Sequence, residues 1–502
     1  MSPSPAPSDL AATRDLDVLV VGAGISGISA GHALQTRCPT QTYAILEARE
    51  AIGGTWDLFR YPGLRSDSDL YTFGFSFRPW SGDKSIADGP AILRYLRETA
   101  AAYGIDRKIR YRHRVLRADW RSQDARWSVA VQVGDDPAPV RFTCRFLSVC
   151  AGYYDYDEGY RPDWPGTERF AGPIVHPQAW PEDLDYAGKR VVVIGSGATA
   201  VTLVPEMATR AAHVTMLQRS PSYVLSMPAA DPVATWLRRY LPARLAHGLA
   251  RWKNVFLTLG FYQFARRKPD WMARQIIALA RRQLGPDYDV ATHFTPAYKP
   301  WDQRLCLVPD GDLFRAIRSG RASVVTDRIE SFTPAGLQLA SGRHLDADIV
   351  VAATGLKLRM LGGLTLTVDG RPVEAPATFL YRGMMLSDVP NLAVAIGYTN
   401  ASWTLKCELT ARFVCRLINR MEARGDEWCV PRRGDAIGEA PLIDFTSGYI
   451  QRARDLLPKQ GARKPWRLYQ NYLLDLATLR FGSLEDGALE FGRRPPAERR
   501  AA

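Results

Sequence analysis

No C-x-x-C or C-x4-C pair occurs anywhere in the 502 residues. The seven cysteines, Cys38, Cys144, Cys150, Cys306, Cys407, Cys415 and Cys429, are scattered. A scattered, odd set in a long chain argues against a disulfide framework or a zinc site, and for reduced thiols in a cytoplasmic setting. It also excludes the dithiol chemistry of disulfide reductases. No apolar run is long enough to span a bilayer as a helix. The opening MSPSPAPSDLAATRD lacks a basic start and an apolar core, so it reads as a loose tail, not a secretory signal. Zinc-finger spacing, a homeodomain-like helix and an RRM aromatic signature are missing too. Nucleic acid is therefore not expected as a partner, although the net charge is +13.

What is present is an ordinary soluble composition, 46% hydrophobic and 23% charged, in a chain long enough for several cores. The positive balance favours anionic partners, of which a phosphorylated cofactor accounts for a few charges. The remaining charges read as solvated surface, with a membrane-facing patch as the second reading. Nothing in the pattern specifies an oligomeric state.

Two short apolar runs end in glycine turns. DVLVV leads into G-A-G-I-S-G, with Gly22, Gly24 and Gly27, then a helix-spaced stretch and the strand-like TYAILEA. The first glycine allows a tight turn, the second lets a pyrophosphate approach the backbone, and the third lets helix pack on strand. The helix N-terminus offers free N–H groups to phosphate. Glu47, at the end of the second strand, suits the ribose hydroxyls of an adenosine. The alternative is a glycine turn without ligand. Gly53 and Gly54 then precede Thr55 and Trp56, and a glycine pair lets backbone lie against a flat cofactor. Trp56 alone suits core packing; in this context it suits contact with a flavin.

The second unit is RVVVI followed by G-S-G-A-T-A, with Gly195, Gly197 and Ala200, plus Ser196 and Thr199 as hydroxyl donors. After the next strand come Gln218 and Arg219, with no acid. A carboxylate there would repel a 2′-phosphate, whereas Arg219 can bind it, so NADPH is expected in preference to NADH. The plainer reading of Arg219 is a surface arginine after a strand. Two units so far apart imply two Rossmann-like domains in an α/β fold, one for FAD and one for NADP. The basic, aromatic stretch between them and the next strands reads as a helical insertion. The expected division is 1–157 and 373–502 for the FAD domain and C-terminal tail, 158–225 and 300–372 for the NADP domain, and 226–299 for the insertion. The last residues, from about Arg493, read as frayed.

Between the two sites lies Phe170-Ala-Gly172-Pro-Ile-Val-His176-Pro-Gln-Ala-Trp180-Pro181. It resembles the F-x-G-x3-H-x3-W-P/D fingerprint of type I Baeyer–Villiger monooxygenases, within the flavin-containing monooxygenase superfamily. GGTWDLFRYPGLRSDSD, CAGYYDYDEGY, WDQRLCLVP and GYTNASWTLK extend the likeness over nearly the whole chain. The resemblance places Ser26, Glu47, Thr55, Trp56, Asp57 and Leu58 on FAD-contacting positions, and Val115 on a backbone contact to adenine. Arg65 and Ser66 fall beside Asp67, an active-site aspartate near the flavin. Gly195, Ser196, Gly197, Ala198, Thr199, Ala200 and Val201, with Gln218 and Arg219, match NADP binding. Arg304 matches the arginine that steadies a C4a-peroxyflavin attacking a ketone carbonyl. Gln303 departs from many relatives, which carry a basic residue there, so 2′-phosphate recognition rests more on Arg219. His176 is implied as a linker hinge, neither acid nor base.

The implied partners are FAD, NADPH, O2 and a small ketone or sulfide. A fixed guanidinium such as Arg304 can stabilise an oxyanion, and Asp67 would orient it. Without the resemblance, Arg304 reads as a surface salt bridge and Asp67 as a helix cap. Trp236, Phe256, Phe261, Phe264 and Trp271 of the insertion are candidates for an apolar entry path, against plain helix packing. Oxygenation of sulfur or nitrogen and a non-catalytic nucleotide-sensing flavoprotein remain alternatives.

Overall fold

A computed structural model describes residues 14–434, 437–443 and 445–493. Of the tail expected over residues 1–15, residues 1–13 lie outside the described residues, as does the chain beyond 493; Asp15 already belongs to the first strand.

The run DVLVV forms the heart of β1 (Asp15–Val21), buried on both faces. It sits between β2 (Tyr43–Leu46) and β3 (Val140–Val149), both parallel to it. Helix α1 (Ile25–Arg37) makes the crossover from β1 to β2. His113–Arg121 and Arg126–Val133 continue this sheet antiparallel from β3. A second sheet is wholly parallel: β4 (Arg190–Ile194) lies between β5 (His213–Gln218) and β6 (Ile349–Ala352), with Ala322–Thr326 and Ile174–Val175 at its edges. Helix α2 (Ala198–Met207) follows β4. Two Rossmann-like units therefore stand where the glycine turns placed them.

Two strands connect the domains. Tyr154–Gly159 carries the chain out and Leu356–Leu358 brings it back, paired antiparallel. Thr365–Val368 then pairs with His113–Arg121, and Arg371–Pro372 with Thr365–Val368. The chain has thus re-entered the first domain before residue 365, earlier than the expected boundary at 372. The outer edge of His113–Arg121 has open backbone groups to satisfy, and Thr365–Val368 satisfies them. All seven cysteines are buried and unpaired. Among the described residues, no helix is long and apolar enough to cross a membrane.

The insertion is helical, as expected: Pro232–Tyr240, Ala243–Arg267, Pro269–Leu284 and Val290–Phe294. It is clamped to the first domain by a buried arginine. Arg251 Nη1 donates to the carbonyls of Tyr71 (2.9 Å), Thr72 (3.3 Å) and Gly74 (2.7 Å). Its Nη2 lies 3.7 Å from Glu408 Oε2, which is also buried. Those three carbonyls are at the end of the short helix Leu70–Phe73, whose last C=O groups have no intrahelical partner. Arg251→Ala leaves the three carbonyls without their charged donor and leaves Glu408 with Arg412, 3.8 Å away, as its remaining cationic neighbour. A loss of about 3 kcal/mol is expected, read as a lower thermal midpoint. An unchanged midpoint would show that the clamp contributes nothing.

Candidate functional site

Both glycine turns are shaped by close approaches. Gly22 has φ of +100°, and a Cβ at Gly27 would lie 1.9 Å from the Gly22 carbonyl oxygen. No side chain larger than hydrogen fits there while α1 packs against β1. Gly195 has φ of +136°, and a Cβ would lie 2.3 Å from the Ala353 carbonyl oxygen. By contrast, a Cβ at Gly197 would meet nothing within 4 Å, so the turn opens to free space. Neither α1 nor α2 has a side-chain N-cap. Their first N–H groups are therefore left for an outside acceptor, which is what a pyrophosphate offers.

A cavity of about 960 Å³ runs from the first glycine turn to the second unit and the insertion. Gly22, Gly24, Ser26, Glu47, Thr55 and Trp56 form part of its wall; so do Gly54 and Val115. Arg65, Ser66, Asp67 and Arg304 also line it, with Ala198 and Thr199 from α2. Glu47 is fixed at the end of β2 by accepting from the N–H groups of Ala23 (2.7 Å) and Arg49 (2.9 Å). Burial raises its pKa above the usual carboxylate value, against those two hydrogen bonds.

Other expected residues stand elsewhere. Asp57 is buried and ion-paired to Arg49 (2.7 Å) and Arg97 (3.3 Å), so its carboxylate braces the turn and does not face the cavity. Leu58, Gly27, Ala200 and Val201 also lie off the cavity wall, and Ala200 and Val201 pack in the core beneath α2. Gly195, Ser196 and Gly197 lie beyond the same wall, with Ser196 Oγ near Ser222 Oγ at 2.9 Å. The Gln218 amide is turned inward: it donates to the His293 carbonyl (2.8 Å) and Thr326 Oγ1 (2.9 Å). Those bonds leave it buried, so the open face after β5 belongs to Arg219. Arg219 is exposed and makes no ion pair among the described residues.

Arg304 Nη1 and Asp67 Oδ2 are 3.1 Å apart. Arg304 stands just before the strand Cys306–Pro309, which pairs with Val224–Met227. Cys306 Sγ contacts the Ser196 carbonyl at 3.6 Å, so this strand also touches the second glycine turn. The segment R-S-D-S-D is pinned residue by residue. Arg65 is ion-paired to Asp312 of the second domain, and Ser66 donates its N–H to the Ala87 carbonyl (2.9 Å) and its Oγ to the Ser68 carbonyl (2.8 Å). The helix cap in that string is Asp69, not Asp67: Asp69 accepts from Thr72 N–H (2.9 Å), leaving Asp67 for Arg304. The Asp67 charge raises the Arg304 pKa above its ordinary value, outweighing burial. The guanidinium is a permanent cation facing the cavity.

Several neighbours carried no signal strong enough to single out. Trp403 Nε1 donates to Ser26 Oγ (2.8 Å), and Tyr156 Oη lies 3.0 Å from Thr55 Oγ1. Tyr153, Tyr154 and Tyr449 stand near Arg304; burial raises Tyr154 well above the ordinary value and Tyr449 to about 12, so both phenols stay neutral. Tyr153, Tyr154, Tyr156 and Trp403 sit inside strings whose overall likeness was legible, but only the folded chain shows which of their side chains turn to the site. Asp69, Asn254, Asp231 and Lys253 form a polar cluster in the wall, with Asn254 donating to Asp69 (3.0 Å) and Asp231 (3.3 Å). His176 packs on the crossing strands: its Nε2 is 3.2 Å from the Gly355 carbonyl oxygen, and its Nδ1 accepts from the Gln178 N–H. Of the five aromatic residues expected on an entry path, only Phe261 lines the cavity. Trp236, Phe256, Phe264 and Trp271 are exposed, because the helices turn smaller residues inward.

This arrangement, with one glycine turn along a cavity and the helix that follows a second turn reaching the same cavity, is that of a two-domain flavoprotein. The family model for flavin-binding monooxygenase-like proteins matches residues 85–241, and the NAD(P)-binding Rossmann-like domain matches residues 20–83. The chain belongs to the flavin-binding monooxygenase-like family. It is 56% identical over 485 residues to the FAD-containing monooxygenase EthA of Mycobacterium tuberculosis, covering 96% of this chain and 99% of that one. It is 48% identical over 486 residues to the probable FAD-binding monooxygenase AlmA of Acinetobacter baylyi, covering 96% and 97%. Its fold matches a solved structure of oxidized steroid monooxygenase bound to NADP, with a TM-score of 0.75, 23% identity and coverage of 95% and 100%.

Proposed function

We propose that the chain is an FAD-dependent, NADPH-consuming monooxygenase of the Baeyer–Villiger type, acting on linear, lipophilic ketones. A ketone, O2, NADPH and a proton would give an ester, water and NADP+. The observation that carries this reading is the Arg304–Asp67 pair inside a cavity shared by both nucleotide units.

The residues present fit the cofactors. The uncapped N-terminus of α1, Ser26 and Glu47 suit the pyrophosphate, its neighbouring hydroxyls and the ribose of FAD; Trp56 and the glycine pair at 53–54 suit its flat ring. The uncapped N-terminus of α2 and Arg219 suit NADPH. Bound FAD, reduced by NADPH, supplies the activation of O2. The chain's own part is electrostatic. Arg304 keeps its proton and is held by Asp67, so its charge is in place before negative charge develops on the carbonyl oxygen under attack. A lysine would be a weaker choice, being able to lose its proton and lacking the planar fork. The apolar wall, with Phe261 and Leu305, shields the reacting groups from water and accepts an alkyl chain.

The first test is incubation of the FAD-loaded protein with NADPH, O2 and 2-dodecanone, with products identified by mass spectrometry. An ester one oxygen atom heavier than the ketone is expected. Recovery of the unchanged ketone, with a dialkyl sulfide converted to its sulfoxide under the same conditions, would overturn the ester-forming reading in favour of sulfur oxygenation.

The second test concerns the nicotinamide cofactor. Arg219→Ala is expected to raise the KM for NADPH on the order of tenfold or more and to leave that for NADH unchanged, because NADH has no 2′-phosphate to lose. Equal changes for both would contradict the assignment.

A further inference from the structure

The insertion turns its large apolar side chains outward. On the helix Ala243–Arg267, the buried positions include Ala246, Ala250, Val255 and Ala265, whereas Leu245, Leu249, Trp252 and Phe256 are exposed. These four recur at spacings of four, three and four residues, so they form one stripe. The helix Pro232–Tyr240 repeats the pattern with Val233, Trp236 and Tyr240. Phe256 is 55% exposed, Trp236 60% and Leu257 61%. A surface helix ordinarily gives such a stripe to the core. Two helices withholding it make an apolar patch that marks an interaction surface.

That patch is continuous with the cavity. Met227, Val233 and Leu257 are exposed and also line the cavity wall. Trp236 is one turn from Val233, and Phe256 adjoins Leu257. The cavity mouth therefore opens within the apolar patch.

The patch also has one sign of charge around it. Residues 232–284 contain eleven lysines and arginines and a single acid, Asp270, in a chain whose whole net charge is +13. Arg238, Arg251, Lys253 and Arg266 are held in ion pairs. Arg239, Arg244, Arg267 and Lys268 are exposed and make no ion pair among the described residues. A second copy laid against this face would meet the same positive charge, and like charges repel. An anionic bilayer supplies both what the cations and what the aromatic stripe require: negative headgroups outside and acyl chains beneath.

We propose that the insertion seats the protein on an anionic lipid bilayer, with the cavity mouth facing the membrane. Tryptophan and tyrosine would lie at headgroup level and the arginines against the phosphates. Passage of an apolar substrate from the bilayer into the cavity rests on the function proposed above; adsorption to lipid does not.

The test is co-sedimentation of the full-length, FAD-loaded protein with two kinds of vesicle. One is phosphatidylcholine mixed with phosphatidylglycerol, the other phosphatidylcholine alone. The protein is expected to sediment with the mixed vesicles and to remain in solution with the neutral ones. The double variant W252Q/F256Q is expected to bind the mixed vesicles about tenfold less or weaker still. Its thermal midpoint and flavin content should stay at the parent values, which separates lost docking from lost folding. Three results would overturn the proposal. The parent could stay in solution with the mixed vesicles. The double variant could bind as well as the parent, which means charge adhesion without apolar contact. Gel filtration could show a dimer that W252Q/F256Q converts to monomer, which means that a second copy covers the face. None of these readouts involves ester formation, so the proposed reaction stands or falls separately.

Discussion

A cation facing an apolar cavity is stable only when an anion is fixed beside it. Much of the middle of this molecule serves that condition. Arg304 comes from the segment just before the strand Cys306–Pro309, where the chain leaves the insertion for the second domain, and Asp67 from a loop of the first. Asp67 is held in place because its neighbours are fully occupied: Ser66 by Ala87 and Ser68, Asp69 by Thr72 and Asn254, Arg65 by Asp312. Arg304 is held through the strand that begins two residues on, Cys306–Pro309, which pairs with Val224–Met227 and touches the second glycine turn through Cys306. The pair thus depends on how the two domains meet, as does any chemistry it performs.

The two nucleotide units differ in how they meet the cavity. The first lies along it, with Gly24, Ser26, Glu47 and Trp56 in the wall. The second reaches it along the first turns of α2, through Ala198, Thr199 and Thr202, while its glycines and Arg219 lie beyond. This asymmetry fits one group lying along the cavity that Arg304 lines and another that reaches it from the second unit. The connection between domains runs through just two paired strands and the half-buried His176 against them, a narrow join for a molecule of two domains. The insertion completes the enclosure, clamped through Arg251 on one side and open to an apolar surface on the other.

Both Rossmann-like units were legible in the sequence because each rule behind them is local. A glycine required because a Cβ would fall 1.9 Å from a carbonyl oxygen, a buried strand and, in the first unit, an acid at the end of the next strand leave marks within a few residues. Arg304 and Asp67 were legible only through the resemblance; the residues alone suggested a surface salt bridge and a helix cap. The cap proved to be Asp69, two residues along, a distinction that only the direction of the chain at that turn decides. Gln218 was misleading for a similar reason, since its amide satisfies His293 and Thr326 from another part of the chain. The insertion aromatics show a further limit. Their periodicity identifies a stripe, but not whether the stripe turns to the core or away from it. The early return to the first sheet at Thr365 was equally invisible, because strand partners are set by distant edges.

The central claim is that Arg304 acts on oxygen transfer and not on cofactor binding or flavin reduction. Arg304→Ala separates these steps when flavin bleaching by NADPH without oxygen is compared with ester formed per NADPH in its presence. The account predicts bleaching within about twofold of the parent rate and ester yield lower by on the order of a hundredfold, the NADPH being spent on hydrogen peroxide. An ester yield equal to the parent's, or a collapse of flavin reduction itself, would contradict it.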